Sequence, residues 1–248
     1  MPLNISQKTR GEKFHNLQTI YDTIPQTECK KRNFCCQAGC PPLYFIEFIN
    51  ILDYIKKNIS IDSLSTIVCQ CIDNYFSEEI IKPCPLFNDG CFIYDVRPIN
   101  CRFYGQIPDE EYKKRQQRVS DEFTMSANEM RVALNLKNVE EVPLYHQCPN
   151  VKPIADTGEK VTSQNYNKTF LVLEELEVDF LKDMKLEIPF TSYKNFHDHY
   201  LWFTIGEDML EKWTTLKLHF REDPLSKNSV LSLMKKEIKP LTKKIYTP

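Results

Sequence analysis

No stretch of this 248-residue chain approaches the roughly 18 consecutive apolar residues of a membrane-spanning helix. The first residues, Met1 to Arg10, hold no apolar signal segment either, so the expected compartment is cytoplasmic and no membrane partner is expected. Glycine is scarce, six residues in all, and none forms a Gly-rich loop after a strand that would cradle a nucleotide or adenosylmethionine. Gly-x-Ser-x-Gly, P-loop and His-Glu-x-x-His signatures are absent too, which leaves nucleophilic catalysis without support. A charge excess of one sign is also missing. The formal net charge of −2 removes the bulk electrostatic case for a nucleic-acid partner. Hydrophobic residues at 42% and charged residues at 27% exclude a disordered chain and leave a folded one.

What the chain has in excess is cysteine, ten residues, most of them between Cys29 and Cys101. The front half reads Cys29-x5-Cys35-Cys36-x3-Cys40-Pro41-Pro42. The back half reads Cys84-Pro85-Leu86-Phe87-x3-Cys91-x-Ile93-Tyr94-x-x-Arg97-Pro98-x-x-Cys101-Arg102, and Cys148-Pro149 follows. In a reducing cytosol, thiols this dense are read as metal ligands rather than as a disulfide framework. A tetrahedral site needs four converging ligands, and Cys29, Cys35, Cys36, Cys40, Cys84, Cys91, Cys101 and Cys148 divide evenly into two such sets. In extended chain the adjacent Cys35 and Cys36 point to opposite sides, so each serves a different centre or both sit on one multi-metal cluster. Charge does not separate zinc from iron–sulfur, since either gives about −2 per four-thiolate centre. Lys30, Lys31, Arg32, Arg97 and Arg102 stand beside the thiols and would offset that charge and lower their pKa values.

The remaining chain reads as mainly α. Phe14, Leu17, Ile20, Tyr21 and Ile24 predict a helix before Pro25, and Phe45, Phe48, Ile49, Leu52 and Ile55 predict one over Tyr44 to Ile59. A third apolar stripe, Leu64 to Phe76, takes Asp62 or Ser63 as N-cap. Cys71 lies on that stripe as a small core residue and Cys69 on the other side, and neither enters the ligand set. The block 28–42 reads as an irregular loop, and 82–108 as a loop with a short hairpin around Cys91 to Tyr94. Helical patterns follow at Glu110 to Leu136, Tyr166 to Lys185, Phe196 to Phe220 and Leu225 to Ile245. The polar stretch Lys152 to Lys160 reads as a linker, which divides the chain into a cysteine-cluster module, 1–150, and a helical accessory region, 151–248. Histidine adds little: His146 is an alternative donor beside Cys148, and His197 and His199, two apart on a helix, do not share a face.

A Cys-Cys pair followed by Cys84-Pro-Leu-Phe-x3-Cys91-x-Ile-Tyr-x-x-Arg-Pro-x-x-Cys101-Arg resembles the YkgJ family of cysteine-cluster proteins, over about residues 29–149. The resemblance implies a zinc- or iron-chelating domain, commonly iron–sulfur, with the same eight cysteines as ligands. The x5 gap after Cys29 and the added Cys69 and Cys71 depart from that pattern. A related cluster occurs in flagellin lysine N-methylase, so the resemblance also implies a protein lysine methyltransferase-like enzyme as an alternative.

Three functions are therefore expected to compete. The first is an iron–sulfur protein with two 4Fe-4S clusters, working in electron transfer or as an accessory factor to a redox or enzyme partner. The second is a zinc-stabilised interaction module, and the third the methyl-transfer enzyme. The tail offers six lysines (Lys227, Lys235, Lys236, Lys239, Lys243, Lys244) against Glu237, read as a solvated helix end.

Overall fold

A computed structural model of the chain describes residues 6–25, 27–28, 34–37, 39–77, 82–134, 152–153, 161–186, 193–222 and 226–236. The architecture is mainly α, as the periodicity predicts. The elements in order are α1 (Gln7–Asp22), β1 (Thr27–Glu28), α2 (Phe34–Gln37), β2 (Pro42–Leu43), α3 (Phe45–Asn58) and α4 (Ile61–Phe76). There follow α5 (Ile99–Phe103), α6 (Asp109–Leu134), β3 (Lys152–Pro153), α7 (Ser163–Asp183), β4 (Lys194–Asn195), α8 (Phe196–Ile205) and α9 (Glu207–Glu222). A last helical run covers 226–236.

Helix starts follow ordinary capping chemistry. Ser6, Ser60 and Thr162 each accept the amide three residues on, at 3.1, 3.2 and 3.2 Å, which satisfies one of the orphan donors of α1, α4 and α7. The cap of α4 is thus Ser60 rather than Asp62 or Ser63. The single helix expected over Phe196 to Phe220 is two helices. They part at Gly206, whose φ of 80° only glycine adopts without strain.

Both β pairings are two residues long and both are long-range. Pro42 and Leu43 face Asn195 and Lys194, and Thr27 and Glu28 face Pro153 and Lys152. The expected linker is therefore tied back, at its first two residues, to the chain just before Cys29. The expected boundary at 150/151 falls outside the described residues. Helices on either side of it share one hydrophobic core: Leu17, Phe48, Ile67 and Phe103 from one side, Leu173, Phe180, Phe196 and Tyr200 from the other.

Two buried glutamates join these layers. Glu177 of α7 accepts the Phe45 and Ile46 amides at 3.0 and 2.8 Å, so α3 is capped by a residue 131 positions away from Ile46. Glu47 of α3 accepts the Tyr21 hydroxyl at 2.7 Å, the Tyr44 amide at 3.0 Å and the Ile99 amide at 2.7 Å. Through Glu47 the start of α5 is bonded to α1 and α3, which fixes the segment that carries Cys101.

Candidate metal centre

Six of the eight expected ligands are described: Cys35 and Cys36 on α2, Cys40 before β2, Cys84 and Cys91 in a loop, and Cys101 on α5. Cys29 and Cys148 lie outside the described residues. The loop expected over 28–42 contains a helical turn, so Cys35 and Cys36 are not on extended chain. Their sulfurs lie 3.9 Å apart on this turn and do not point to opposite sides, as neighbours on the expected extended chain would. Gly39, at φ 126°, then turns the chain so that Cys40 comes back toward the same place.

The back half folds onto the front half through the backbone. The Cys84 amide donates to the Cys36 carbonyl at 3.0 Å, and Asn74 of α4 donates to the Pro83 carbonyl at 2.8 Å. Asn88-Asp89-Gly90 forms the reversal, with Asp89 at φ 53°, and a bridge between Phe87 and Cys91 closes it. The Arg-Pro-x-x-Cys-Arg segment is held by its own arginines. Arg97 Nε donates to the Tyr94 carbonyl at 3.0 Å, while Arg102 donates to the Arg97 and Asp95 carbonyls at 2.7 and 2.8 Å. Pro98 is the N-cap of α5, where no amide donor is missed.

The thiols meet as a proton-sharing cluster. Cys36 is the common neighbour of Cys35, Cys84 and Cys91, which compete for its one proton and push its pKa up. Donation from Cys36 draws Cys35 down to about 7, helped by the Arg97 guanidinium, and lowers Cys91 as well. Cys84 is held well below the ordinary thiol range by Cys36 and Cys40 together, with the Leu86 amide also pointing at its sulfur. Cys40 is pushed up by its donation to Cys84 and by burial, against the Phe196 amide at the first turn of α8. Burial pushes Cys101 up, and the negative charge at Cys35, Cys84 and Cys91 adds to it. All eight described cysteines, Cys69 and Cys71 among them, are free thiols. Cys71 is fully buried on α4, in the core position its stripe predicts.

Among the described residues, no group of three or more His, Cys, Asp or Glu side chains is arranged to hold a metal ion. The thiols meet pairwise, which suffices for shared protons and falls short of tetrahedral coordination. The donor chemistry nevertheless suits a soft metal, because three of these sulfurs are biased toward thiolate and Arg97 offsets part of their charge. Drawing the pairs into one shell belongs to the coupling of metal binding and folding.

The cluster gives a direct chemical expectation for the metal-free full chain. In a Cys36→Ala variant, Cys35 loses its principal donor and moves back toward 9.0. Its thiolate fraction at pH 7 then falls from about one half to about one in a hundred. Alkylation of Cys35 by iodoacetamide, followed by peptide mass mapping, slows on the order of tenfold, since intrinsic nucleophilicity recovers as the pKa rises. An unchanged rate would remove Cys36 as the donor.

No family model, no curated protein and no solved structure matches the chain. A buried titratable side chain near the thiols that their spacing did not reveal is His197. Its imidazole sits in the first turn of α8, beside the Phe196 amide that meets Cys40, and within charge range of Cys84. Its neighbour His199 is occupied otherwise, with Nε2 3.0 Å from the Leu43 carbonyl and its ring stacked on Phe48.

Proposed function

We propose that this chain is a thiolate-held metal protein of the YkgJ-like cysteine-cluster type, loaded with iron–sulfur and acting in the cytoplasm in electron transfer or as an accessory factor to an enzyme partner. The observation that supports the reading is the meeting of five candidate ligands from separate segments around Cys36 and Cys84, with Cys101 within charge range of them. Four of them, Cys35, Cys36, Cys84 and Cys91, interact directly through Cys36, and Cys40 joins through Cys84.

Two 4Fe-4S clusters would use these six thiolates together with Cys29 and Cys148. Such clusters supply one-electron transfer when bound. The chain's own contribution is to hold, neutralise and shield. Arg97 lies close enough to Cys35 and Cys101 to favour their anionic forms. Leu86 and Ile93 are buried in the loop between Cys84 and Arg97, and Phe87 and Phe92 are half-buried there, so little water reaches the sulfurs from that side. No helix among the described residues is long and apolar enough to cross a membrane.

The test is iron, acid-labile sulfide and zinc analysis with an absorption spectrum on full-length protein purified without oxygen. About eight irons and eight sulfides per chain, with a broad visible band that bleaches under dithionite, is the expected result. Colourless protein with about two zincs would replace this reading with the zinc-stabilised module. Protein lacking any metal would end both.

A further inference from the structure

We propose that Cys36 and Cys84 are a reversible redox pair, which a peroxide oxidises to a disulfide when the centre is free of metal, closing it to loading. The control of loading rests on the thiol-centre reading, whereas the bridge itself depends only on how the two cysteines are held.

The backbone holds them as partners. The Cys84 amide donates to the Cys36 carbonyl at 3.0 Å, and the two thiols meet in a hydrogen bond. Residues paired by main-chain bonds in an antiparallel ladder have Cα atoms about 5.5 Å apart, inside the roughly 4.4–6.8 Å that a disulfide spans. Both sides are anchored as well: Cys36 lies on α2, and Asn74 of α4 donates to the carbonyl of Pro83, next to Cys84, at 2.8 Å. Bridge formation therefore asks for side-chain rotation rather than movement of the chain. The other meetings suit a bridge less well. Cys35 and Cys36 have sulfurs 3.9 Å apart, but adjacent Cα atoms stand only about 3.8 Å apart, short of the roughly 4.4 Å at which the disulfide range begins. Cys91 meets Cys36 and Cys40 meets Cys84, yet neither is tied to its partner by a main-chain bond among the described residues.

Exposure sets the order of the chemistry. Cys36 is 6% exposed, while Cys84 is half-buried and is the sulfur of the two that a small oxidant reaches first. The Cys84 thiol takes one oxygen from the peroxide, whose O–O bond breaks, and becomes a sulfenic acid; the rest of the peroxide leaves as an alcohol or, from hydrogen peroxide, as water. The Cys36 sulfur then attacks the Cys84 sulfur. An S–S bond forms, the S–O bond breaks, and the hydroxyl departs as water with the proton that Cys36 gives up. The two thiols lose two electrons and the peroxide gains them. A dithiol reductant reverses the step by exchange. Transient bridges of this kind are the usual form of disulfide in a reducing cytosol. Bridging removes the Cys36 thiol around which Cys35, Cys84 and Cys91 gather, so two candidate ligands are withdrawn at once.

Metal-stripped full-length protein treated with equimolar hydrogen peroxide is the test. It is read by non-reducing peptide mass mapping with fragmentation, and by uptake of zinc and of ferrous iron before and after dithiothreitol. A peptide joining Cys36 to Cys84, two hydrogens lighter than its reduced parts, is expected as the dominant bridge, together with a severalfold loss of metal uptake that dithiothreitol restores. Cys84→Ser should lose that peptide and Cys69→Ser should keep it. A dominant bridge elsewhere, Cys35–Cys36 or Cys36–Cys91 included, or sulfinic acid without any bridge, overturns the inference in the wild-type chain alone, whether or not a variant folds. So does a bridged chain that takes up as much metal as the reduced one. A reduced chain that binds neither zinc nor iron overturns the thiol-centre reading and the control of loading with it, while the peptide map still decides the pair.

Discussion

Replacing Glu47 with alanine is expected to lower the unfolding free energy by about 3–5 kcal/mol, the largest effect of any single substitution away from the thiols. Glu47 is fully buried, and its carboxylate is the shared acceptor of the Tyr21 hydroxyl, the Tyr44 amide and the Ile99 amide. Alanine leaves three donors buried without a partner. Unsatisfied donors cost about 1–3 kcal/mol each, and α1, α3 and the start of α5 lose their common anchor. The Arg102 guanidinium, which lies 4.1 Å over the Tyr21 ring and within charge range of Glu47, is then left with less opposing charge. Tyr21→Phe removes one donor and its partner bond together and should cost only about 1 kcal/mol. Urea unfolding followed by circular dichroism separates the three chains. A Glu47→Ala midpoint equal to that of Tyr21→Phe would show that the carboxylate joins nothing of consequence.

The same residue gives a pH dependence whose direction is fixed. Burial raises the Glu47 pKa above the ordinary carboxylate range, outweighing the Ile99, Tyr44 and Tyr21 hydrogen bonds and Arg102 that favour its charge. The folded state therefore holds this proton more tightly than the unfolded chain. The associated stability is fully present below the unfolded pKa and is lost as pH rises through the folded one. Glu47→Gln carries no such titration. The stability gap between the parent chain and Glu47→Gln should narrow from acidic to neutral pH, and a gap that widens would contradict the burial argument.

Periodicity made the long helices legible, because α1, α3, α4, α6 and α7 each repeat apolar residues at three- and four-residue spacing. It could not divide α8 from α9, since apolar positions continue across Gly206 with Phe203, Ile205 and Met209. It could not find α2, which at four residues is one turn and has no period to read. The thiol set was legible as spacing alone. Its geometry was not, because vicinal cysteines diverge in extended chain and come together on a helical turn. Glu47 stands in the run Phe45-Ile46-Glu47-Phe48-Ile49, where a lone carboxylate among apolar residues is the one local sign of a buried acceptor. Its three donors come from positions 21, 44 and 99, and two of those three separations no local pattern encodes.

Cys84→Ser should remove at least half of the bound metal, and Cys69→Ser should remove none. Cys84 meets both Cys36 and Cys40, and through them it connects α2, the Gly39 turn and the loop that carries Cys91. Its sulfur is strongly biased toward thiolate, the form that ligates, whereas a serine hydroxyl is a hard and protonated donor at neutral pH. The backbone bond from the Cys84 amide to the Cys36 carbonyl does not involve the side chain. Serine therefore removes the ligand while leaving the loop its main-chain attachment. Cys69 is half-buried on α4 and hydrogen-bonds to none of the other described thiols, which makes it the matched control. Metal per chain, measured after purification without oxygen, is the readout, with far-UV circular dichroism to follow the helices. Full metal content in Cys84→Ser would exclude it as a ligand. Equal losses in both variants would trace the effect to folding rather than to coordination, since a metal-coupled fold responds to any destabilised core. The expected contrast, one serine that empties the centre and another that leaves it filled, follows from where the two sulfurs sit and not from their number.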